Sequence, residues 1–335
     1  MFDKPQRIIV SGGNGFIGKY FVSRLLEDGH EVFNLDKLTY AADKRIQSWF
    51  YSHSNYSFLH GDVAEINNLP ECDIIVNFAA ETHVDNSIRS SKHFTLSNVI
   101  GVQNILDLMR TMDEGMRPYF VQISTDEVYG DIVEGKHFET DALNPSNPYA
   151  ASKAAAEHIL KSYARTYDLG YKIVRMSNNY GNRQFPEKLI PRSVLRLLGG
   201  RPAQLHGDGS YIRAWLHVRD AIEAILLVVA KGEMNSIYNI ASDEELSNNQ
   251  VIEKVLDMMG LDFESWVEYI PNRPGQDLRY ALDTEKITSL SWKPMIRFED
   301  GLGAIIDEMK NDPHWGGTSS NMPHEFEQFY ASGQS

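Results

Sequence analysis

The stretch that decides the predicted fold is RIIVSGGNGFIG, residues 7–18. Its first four residues form a short apolar run of the kind that a buried parallel strand shows. A glycine-rich turn follows, and an amphipathic pattern then predicts a helix over residues 16–28, which Gly29 ends. The order strand, glycine turn and helix predicts an α/β fold.

A second predicted strand, residues 31–35, ends in Asp36, which lies 18 residues after Gly18. Glycines let a backbone approach a pyrophosphate, a helix N-terminus offers free N–H groups, and an acid at the next strand end can accept hydrogen bonds from a ribose. A carboxylate would repel a 2′-phosphate, so Asp36 favours NAD over NADP, although Lys37 follows directly. The sequence therefore predicts an NAD site.

Further apolar runs predict that this unit continues into a larger sheet. They lie at residues 57–60, 73–78, 119–123 and 171–176, with helices predicted over 90–110 and 149–168. We predict a doubly wound parallel Rossmann sheet with a smaller mixed α/β C-terminal substrate lobe. The predicted domains are an NAD-binding domain with the catalytic residues (1–176), a mostly substrate-binding lobe with some segments returning to the sheet (177–315), and a polar tail (316–335).

Composition narrows the class of protein. The 335 residues are 42% hydrophobic and 23% charged, with a formal net charge of −14, which argues against a generic nucleic-acid binder. Cys72 is the only cysteine, so intramolecular disulfides and multi-cysteine metal sites are impossible, and no metal is expected. No apolar run is long enough for a membrane span, and the first residues lack the features of a signal peptide. A cytoplasmic enzyme is expected.

Acids, a hydroxyl, a phenol and an amine are predicted to meet at one sheet edge. Thr125, Asp126 and Glu127 follow the predicted strand at 119–123, and ligands of open α/β sheets bind beyond the carboxyl ends of strands. Tyr149 and Lys153 are four residues apart on a predicted helix and so share a face. An isolated Asp-Glu pair is usually a solvated turn, but this position favours proton removal at one carbon and proton donation at another.

Other polar residues can be interpreted either as structural or surface residues or as ligand-binding residues. His83, taken alone, is more often a structural or exposed histidine than a ligand. Five basic residues occupy loops of the second half, and they bind a diphosphate only if they converge on a cleft. They are Lys188, Arg192, Arg213, Arg273 and Arg279.

The glycine motif at 11–18, together with Tyr149 and Lys153, resembles the extended short-chain dehydrogenase/reductase superfamily. Within it, STDEVYG at residues 124–130 resembles the nucleoside-diphosphate-hexose 4,6-dehydratases, of which dTDP-glucose 4,6-dehydratase is best known. The resemblance runs from about residue 6 to 311. Asp126 is the discriminating residue, because the matching stretch in related 4-epimerases and UDP-glucuronate decarboxylases lacks this acid.

The resemblance implies a reaction in which dTDP-glucose or UDP-glucose becomes the 4-keto-6-deoxyglucose nucleotide plus water. Tyr149, its pKa lowered by Lys153 and NAD⁺, takes the C4 hydroxyl proton as hydride leaves C4, and Thr125 binds the C4 oxygen. Glu127 removes the C5 proton, Asp126 protonates the departing C6 hydroxyl, hydride returns to C6, and C5 is reprotonated. The alternatives are a sugar-nucleotide 4-epimerase or decarboxylase of the same superfamily, or a non-catalytic NAD-binding scaffold.

The resemblance also implies binding residues and a homodimer that pairs the helices beginning near Ser90 and Tyr149. The implied cofactor contacts are Gly12, Gly15, Phe16, Ile17, Gly18, Asp36, Lys37, Thr39, Asp62, Val63, Ala79, Ala80, Asn98, Tyr149, Lys153 and Asn179. The implied substrate contacts are His83, Thr125, Asn178, Lys188, Leu189, His206, Arg213, Asn248, Arg273 and Asp277. Ala214 and Gln276 depart from the usual family residues, so the nucleotide base and the hexose stay open.

Overall fold

The structure is a computed structural model that describes residues 2–312. The predicted tail at 316–335 lies outside the described residues. The strands are β1 Arg7–Ser11, β2 Glu31–Asp36, β3 Tyr56–His60, β4 Ile74–Asn77, β5 Tyr119–Thr125, β6 Tyr171–Met176, β7 Asn178–Tyr180, β8 Ala203–His206, β9 Ile212–His217, β10 Ser236–Ile240, β11 Glu245–Ser247 and β12 Val267–Ile270. The α-helices are α1 Phe16–Glu27, α2 Gln47–Tyr51, α3 Val84–Arg89, α4 Lys92–Phe94, α5 Gly101–Arg110, α6 Pro148–Tyr167, α7 Leu189–Leu198, α8 Val218–Lys231, α9 Asn248–Met259, α10 Phe263–Trp266, α11 Glu285–Ser289 and α12 Phe298–Asn311.

Seven strands form one parallel sheet in the order β10-β6-β5-β4-β1-β2-β3. The connections reverse direction between β1 and β4, which opens a crevice at their carboxyl ends. Helices cover both faces. Ile8 and Val10 of β1 pack in the core cluster of α1 and α8, whereas Ile9, between them, packs with α5 and α6. The predicted doubly wound Rossmann sheet is confirmed.

A smaller unit follows β6. Strands β11, β9 and β7 form a mixed three-stranded sheet, and β12 pairs in parallel with β8. Helices α7, α9 and α12 enclose a separate apolar cluster around Trp215 and Phe298. The chain leaves this unit twice, because β10 lies beside β6 in the large sheet and Ile287 of α11 packs in the core cluster of that sheet. The predicted smaller mixed lobe is therefore present.

The helix predicted over residues 90–110 is less regular than its pattern indicated. Ser90 is extended, α4 begins at Lys92, and a π-helical segment, Thr95–Ile100, precedes α5. The wide turn brings Ser97 and Asn98 into the interior, where they are 6% and 1% exposed. The short strands β7, β11 and β12 were not predicted, because three or four residues carry little periodicity.

Candidate active site

A cavity of about 360 Å³ lies at the carboxyl ends of the parallel strands. All five predicted catalytic residues line it, and so do all predicted cofactor-binding residues except Asn98. Asn98 instead supports the wall, since its side chain bonds both backbone polar groups of Glu81 and the hydroxyl of Ser152. We call Gly12, Gly15, Gly18 and Asp36 the cofactor end, and Thr125, Asp126, Glu127, Tyr149 and Lys153 the catalytic end.

The cofactor end is a close-packed backbone turn. Gly12 has φ +75°, and a Cβ there would lie 2.7 Å from the backbone nitrogen of Ala79. A Cβ on Gly18 would overlap the carbonyl oxygen of Gly12. Helix α1 begins directly after Gly15, which has no side chain to cap it. Phe16, Ile17 and Gly18, the first residues of the helix, line the cavity, and the uncapped N–H groups of such a first turn suit a pyrophosphate.

Asp36 is fixed by the turn that it faces. Its carboxylate accepts hydrogen bonds from the backbone N–H groups of Asn14 (2.9 Å) and Leu38 (2.7 Å). Burial raises the pKa of Asp36, while these hydrogen bonds act in the opposite sense. Lys37 points away along the wall, since its ammonium donates to Asp62 at 3.1 Å and to Ser97 at 3.2 Å. The ammonium of Lys37 is thus held by neighbouring side chains.

The acids of the catalytic end occupy a 3-10 turn, Asp126–Tyr129, that follows β5 directly. Asp126 is 3% exposed, and burial, followed by the charge of Glu127, raises its pKa to about 7. The Thr125 hydroxyl donates to Asp126 Oδ1 at 3.1 Å. Glu127 is held by a different partner, because Asn147 Nδ2 donates to its Oε2 at 3.1 Å. The two neighbouring acids therefore have different environments.

Helix α6 brings Tyr149 and Lys153 to the same place. Asn147 caps the helix by accepting from the N–H of Ala150, and Pro148 occupies the first turn. Lys153 is 4% exposed, and its ammonium donates to the carbonyl of Ile123. Burial lowers the pKa of Lys153 to about 8. Its neutral and charged forms are therefore both accessible near neutral pH.

The residues that surround Tyr149 raise the pKa of its phenol, and the lowering of that pKa by Lys153 together with NAD⁺ stays a prediction. Burial raises the pKa of Tyr149, and the charge of Glu127 raises it further. The Thr125 hydroxyl opposes this through a hydrogen bond, and Lys153 is directed at the Ile123 carbonyl. The phenol is accordingly neutral in this environment.

The predicted substrate-binding residues fall into two groups. Thr125, Asn178, Lys188 and Leu189 line the cavity. The other six bond to protein groups outside that lining: they are His83, His206, Arg213, Asn248, Arg273 and Asp277.

His83, His206 and Arg273 form one cluster around Asp85. Arg273 pairs with Asp85 at 3.1 Å, and the charge of Asp85 acts on both imidazoles. His83 caps α3, and burial lowers its pKa to about 4. Lys188, on the cavity wall, also acts on His83, so the cluster adjoins the cavity.

The remaining basic residues differ in their surroundings. Arg213 stacks on Tyr280, donates to the Asp277 carbonyl at 2.9 Å, and exerts a charge on Asp126 that partly lowers its pKa. Arg279 instead pairs with Glu245 at 2.7 Å and binds loop carbonyls. Arg279 therefore fastens loops and does not converge on the cavity.

Several lining residues were missed by sequence reasoning. Glu81, Ser177, Gln184, Phe185, Glu187 and Trp215 line the cavity without having been predicted as site residues. Four buried polar atoms on its lining have no hydrogen-bond partner within residues 2–312: Asp126 Oδ2, Ser177 Oγ, Asn179 Oδ1 and Trp215 Nε1. Such atoms are costly when unpaired, so the site fits a polar ligand. Ser177 directly follows β6, and that position at a strand end was the available signal for it.

Residues 2–312 contain neither a membrane-spanning helix nor a cluster of metal-ligating side chains. No helix there has the length and apolar character needed to cross a membrane. No group of three or more His, Cys, Asp or Glu side chains in that range is arranged to hold a metal ion.

Comparison with known proteins identifies the family. The sequence model of the family described as GDP-mannose 4,6 dehydratase matches residues 9–305. The chain is 43% identical over 310 residues to the low-salt glycan biosynthesis protein Agl12 of Haloferax volcanii, covering 91% of this chain and 99% of that protein. It is 37% identical over 335 residues to an Arabidopsis thaliana trifunctional protein with UDP-glucose 4,6-dehydratase activity, covering 96% of this chain. It spans only 50% of the length of that protein.

A solved structure shows the same architecture. The dTDP-glucose 4,6-dehydratase DesIV of Streptomyces venezuelae, crystallised with NAD bound, superposes with a TM-score of 0.88 at 41% sequence identity. The superposition covers 92% of this chain and 98% of that one. The resemblance predicted from the glycine motif and the STDEVYG stretch is confirmed. The chain belongs to the family of nucleoside-diphosphate-hexose 4,6-dehydratases within the extended short-chain dehydrogenase/reductase superfamily.

Proposed function

We propose that this protein is an NAD-dependent nucleoside-diphosphate-glucose 4,6-dehydratase, a hydro-lyase that acts on dTDP-glucose or UDP-glucose. The observation that carries the proposal is Asp126, a buried acid with a pKa near 7 beside Glu127, in one cavity with Tyr149 and a dinucleotide cradle. A 4-epimerase moves a hydride at C4 alone and needs no acid for a leaving hydroxyl. The buried acid therefore favours dehydration.

The cofactor end supports NAD as the bound dinucleotide. Gly12, Gly15 and Gly18 leave room for a pyrophosphate against the backbone, and Asp36 is in place for a ribose. When bound, NAD supplies a reversible store for the hydride that is removed from C4 and returned at C6. Asn179, whose Oδ1 lacks a partner in the described chain, lines the same cavity.

Oxidation at C4 requires removal of a hydroxyl proton. In the proposed mechanism, the phenolate form of Tyr149 accepts that proton and becomes the phenol, and Thr125 holds the C4 oxygen. Because burial and Glu127 raise the pKa of Tyr149, a positive charge is needed to favour its phenolate. Lys153, one helical turn away on α6, is the protein group on the same helix face that carries such a charge.

Water loss breaks the C5–H and C6–O bonds and forms a C5–C6 double bond. Glu127 accepts the C5 proton, and Asn147 holds its carboxylate in place. Asp126 donates a proton to the C6 hydroxyl as water departs. These tasks need one ionised and one protonated acid at the same pH, and the greater burial of Asp126 separates their environments in that sense.

The proposed division of labour follows the fold. Residues 1–176 provide the NAD site and the catalytic residues, and residues 177–315 mostly bind the sugar nucleotide. Lys188 on the cavity wall and the cluster of His83, His206 and Arg273 bring several donors to the adjoining region. The two imidazoles, whose pKa values burial lowers, and the Arg273 guanidinium would offer N–H donors to a diphosphate. Direct substrate contact by the six residues outside the lining is part of the proposal.

A cytoplasmic homodimer is also part of the proposal. Leu96 and Ile100, four residues apart ahead of α5, are 42% and 39% exposed, which is typical of an apolar face that a partner covers. Cys72 is buried and unpaired, which suits a reducing compartment. Light scattering on the purified protein would test the dimer, and a monomer at micromolar concentration would contradict it.

The function is tested with dTDP-glucose, UDP-glucose and UDP-N-acetylglucosamine in separate incubations. A 4-keto sugar gives an alkali-induced near-ultraviolet absorbance, and one of the two glucose nucleotides is expected to produce it. The preferred nucleotide identifies the base. Absence of the signal with all three, in protein that contains NAD, would contradict the proposal.

A further inference from the structure

A fully buried ion pair lies directly beneath the catalytic end. Glu157 on α6 is 0% exposed and Arg175 on β6 is 1% exposed. The guanidinium binds both carboxylate oxygens, with Nη2 to Oε2 at 2.6 Å and Nε to Oε1 at 3.1 Å. Burying two charges is costly, and such pairs are often no more stabilising than apolar residues of similar volume. The pair therefore calls for an explanation other than stability.

The first hydrogen bond from this pair reaches the residues just before the 3-10 turn Asp126–Tyr129. Ser124, on β5, donates its hydroxyl to Glu157 Oε1 at 2.6 Å. Ser124 is also the register partner of Arg175 across the β5–β6 ladder. Ser124 immediately precedes Thr125 and Asp126, so its position fixes where the turn leaves the sheet.

The second connection leads to the other end of the same turn. Arg175 Nη1 donates to the Tyr129 hydroxyl, and the guanidinium lies 4.5 Å from the centre of the Tyr129 ring. That hydroxyl donates to Asn239 Oδ1 of β10 at 2.8 Å, and the ring stacks on His137 at 4.8 Å. The turn that carries Asp126 and Glu127 is thus tied at both ends to one ion pair.

The third connection runs along α6. Glu157 lies four residues after Lys153, so the two side chains occupy one helix face. The negative charge of Glu157 favours the ammonium form of Lys153, against the effect of burial. The Ile123 carbonyl faces that ammonium from β5, while Asp126 and Glu127 act on Tyr149. Glu157 is therefore the acid that acts on Lys153 from its own helix.

We propose that Glu157, held by Arg175, is a positioning residue that sets the placement of Thr125–Glu127 relative to Tyr149 and Lys153. The inference rests on the proposed function and assigns the pair no contact with substrate. Its carboxylate connects β5, β6 and α6 at one point. Thr125–Glu127 lie at the carboxyl end of β5, and Tyr149 and Lys153 lie on α6, so this connection sets the distance between the two groups. An ångström of misplacement at such a site costs about 100-fold in rate.

The main test is Glu157→Gln, which keeps the size of the side chain and an acceptor for Ser124 but removes the charge. We expect kcat to fall roughly 10–100-fold with KM and bound NAD close to those of the wild type. Arg175→Lys, which keeps the charge and loses the paired hydrogen bonds, is expected to retain more activity than Arg175→Met. Unchanged kcat in a folded Glu157→Gln protein would overturn the proposal.

The matched control is Ile225→Val on α8, in the core on the opposite face of the sheet. It lowers stability without touching the network, and its kcat is expected to equal that of the wild type. If the Glu157→Gln protein does not fold, Ser124→Ala and Tyr129→Phe replace it, since each removes one hydroxyl and leaves the ion pair. Each is expected to lower kcat roughly tenfold. Wild-type kcat in both would overturn the proposal.

A second readout does not depend on turnover. The rate of Lys153 acetylation by acetic anhydride, followed by mass spectrometry across pH, reports the protonation of its amine. In Glu157→Gln the midpoint is expected to move to lower pH, and in Ile225→Val it is expected to stay. A midpoint that does not move would contradict the charge coupling. Wild-type protein that converts no sugar nucleotide would overturn the proposed function instead, and the acetylation series would still test the coupling.

Discussion

The two ends of the cavity differ in what lines them: the cofactor end is formed by backbone and the catalytic end by ionisable side chains. At the cofactor end, Gly12 and Gly18 contribute backbone, and a single added methyl group meets the neighbouring strand or turn. At the catalytic end, Asp126, Tyr149 and Lys153 contribute side chains whose burial changes their pKa values. The cofactor end depends on shape and the catalytic end on charge. Substitutions at the cofactor end should therefore lower NAD affinity, and those at the catalytic end should slow chemical steps.

The largest effect is expected for Gly18→Ala. Its Cβ would overlap the Gly12 carbonyl oxygen, so the cradle must open although alanine is the better helix former. We expect NAD affinity to fall by more than about 1,000-fold, or about 4 kcal/mol, with loss of all activity. The NAD content of the purified protein measures this.

Gly303→Ala is the control for that substitution. Gly303 lies in α12, where a Cβ meets nothing within 4 Å, so alanine is expected to stabilise the helix by about 0.5–1 kcal/mol. Full NAD content in Gly18→Ala would show that the close packing of the turn is not what holds the cofactor.

Asp126→Asn is expected to separate the chemical steps. Without the acid, water loss should slow by about 100–10,000-fold, whereas C4 oxidation should be less affected. Reduced nicotinamide should therefore accumulate after substrate is added, which its near-ultraviolet absorbance reports. Glu134→Gln, an exposed change in the following loop, is the control. Dehydration at the wild-type rate in Asp126→Asn would remove Asp126 from the mechanism.

The same substitution should also change stability, in a direction opposite to its effect on activity. The pKa of Asp126 is about 7 in the folded protein against an ordinary 3.8, so ionising it above pH 7 destabilises the fold. Asp126→Asn should then be more stable than the wild type above pH 7, by about 4 kcal/mol. The difference should shrink as pH falls from 7 towards 4. Denaturant unfolding at several pH values checks this, and a pH-independent difference would contradict it.

His217 provides a smaller, opposite pH dependence outside the cavity lining. Burial, with the charge of Arg219, lowers its pKa to about 4 from an ordinary 6.5, so folded stability is lost as pH falls between those values. His217→Asn retains an acceptor for the N-cap of α8 without a titrating group. The loss in the free energy of unfolding between pH 6.5 and pH 4 should therefore be about 3 kcal/mol smaller in His217→Asn than in the wild type. Unfolding curves of identical pH dependence in both proteins would contradict that assignment.

The cofactor end was predictable from the sequence because its information is local. Glycines, a helix start and an acid occur within one short stretch, and each acts through its own backbone. Thr125 to Glu127 could also be placed, since a strand end decides where ligands bind. Burial is a property of the whole fold, which is why the sequence did not reveal that the surroundings of Tyr149 raise its pKa.

The Glu157–Arg175 network could not be found from the sequence for the same reason. Its members are contributed by β5, the 3-10 turn after it, β6, α6 and β10, and no spacing rule joins Tyr129 to Asn239. Of the six predicted substrate residues outside the cavity lining, His206, Asn248 and Asp277 came from resemblance alone, and His83, Arg213 and Arg273 had two interpretations until the resemblance was considered. Their observed bonds to protein groups could be seen only once the elements were packed.

The return of the chain to β10 has a consequence for synthesis. β6 ends at Met176, and its outer neighbour in the sheet begins only at Ser236. While the chain emerges from the ribosome, the backbone N–H and C=O groups on the outer side of β6 therefore stay unpaired until β10 has been made. Such unpaired edges are prone to aggregation. The NAD cradle can form early, but Tyr129 acquires its Asn239 partner only after β7, α7, β8, β9 and α8 have been made. Completion of the catalytic framework is thereby coupled to synthesis of the unit that is proposed to bind the sugar nucleotide.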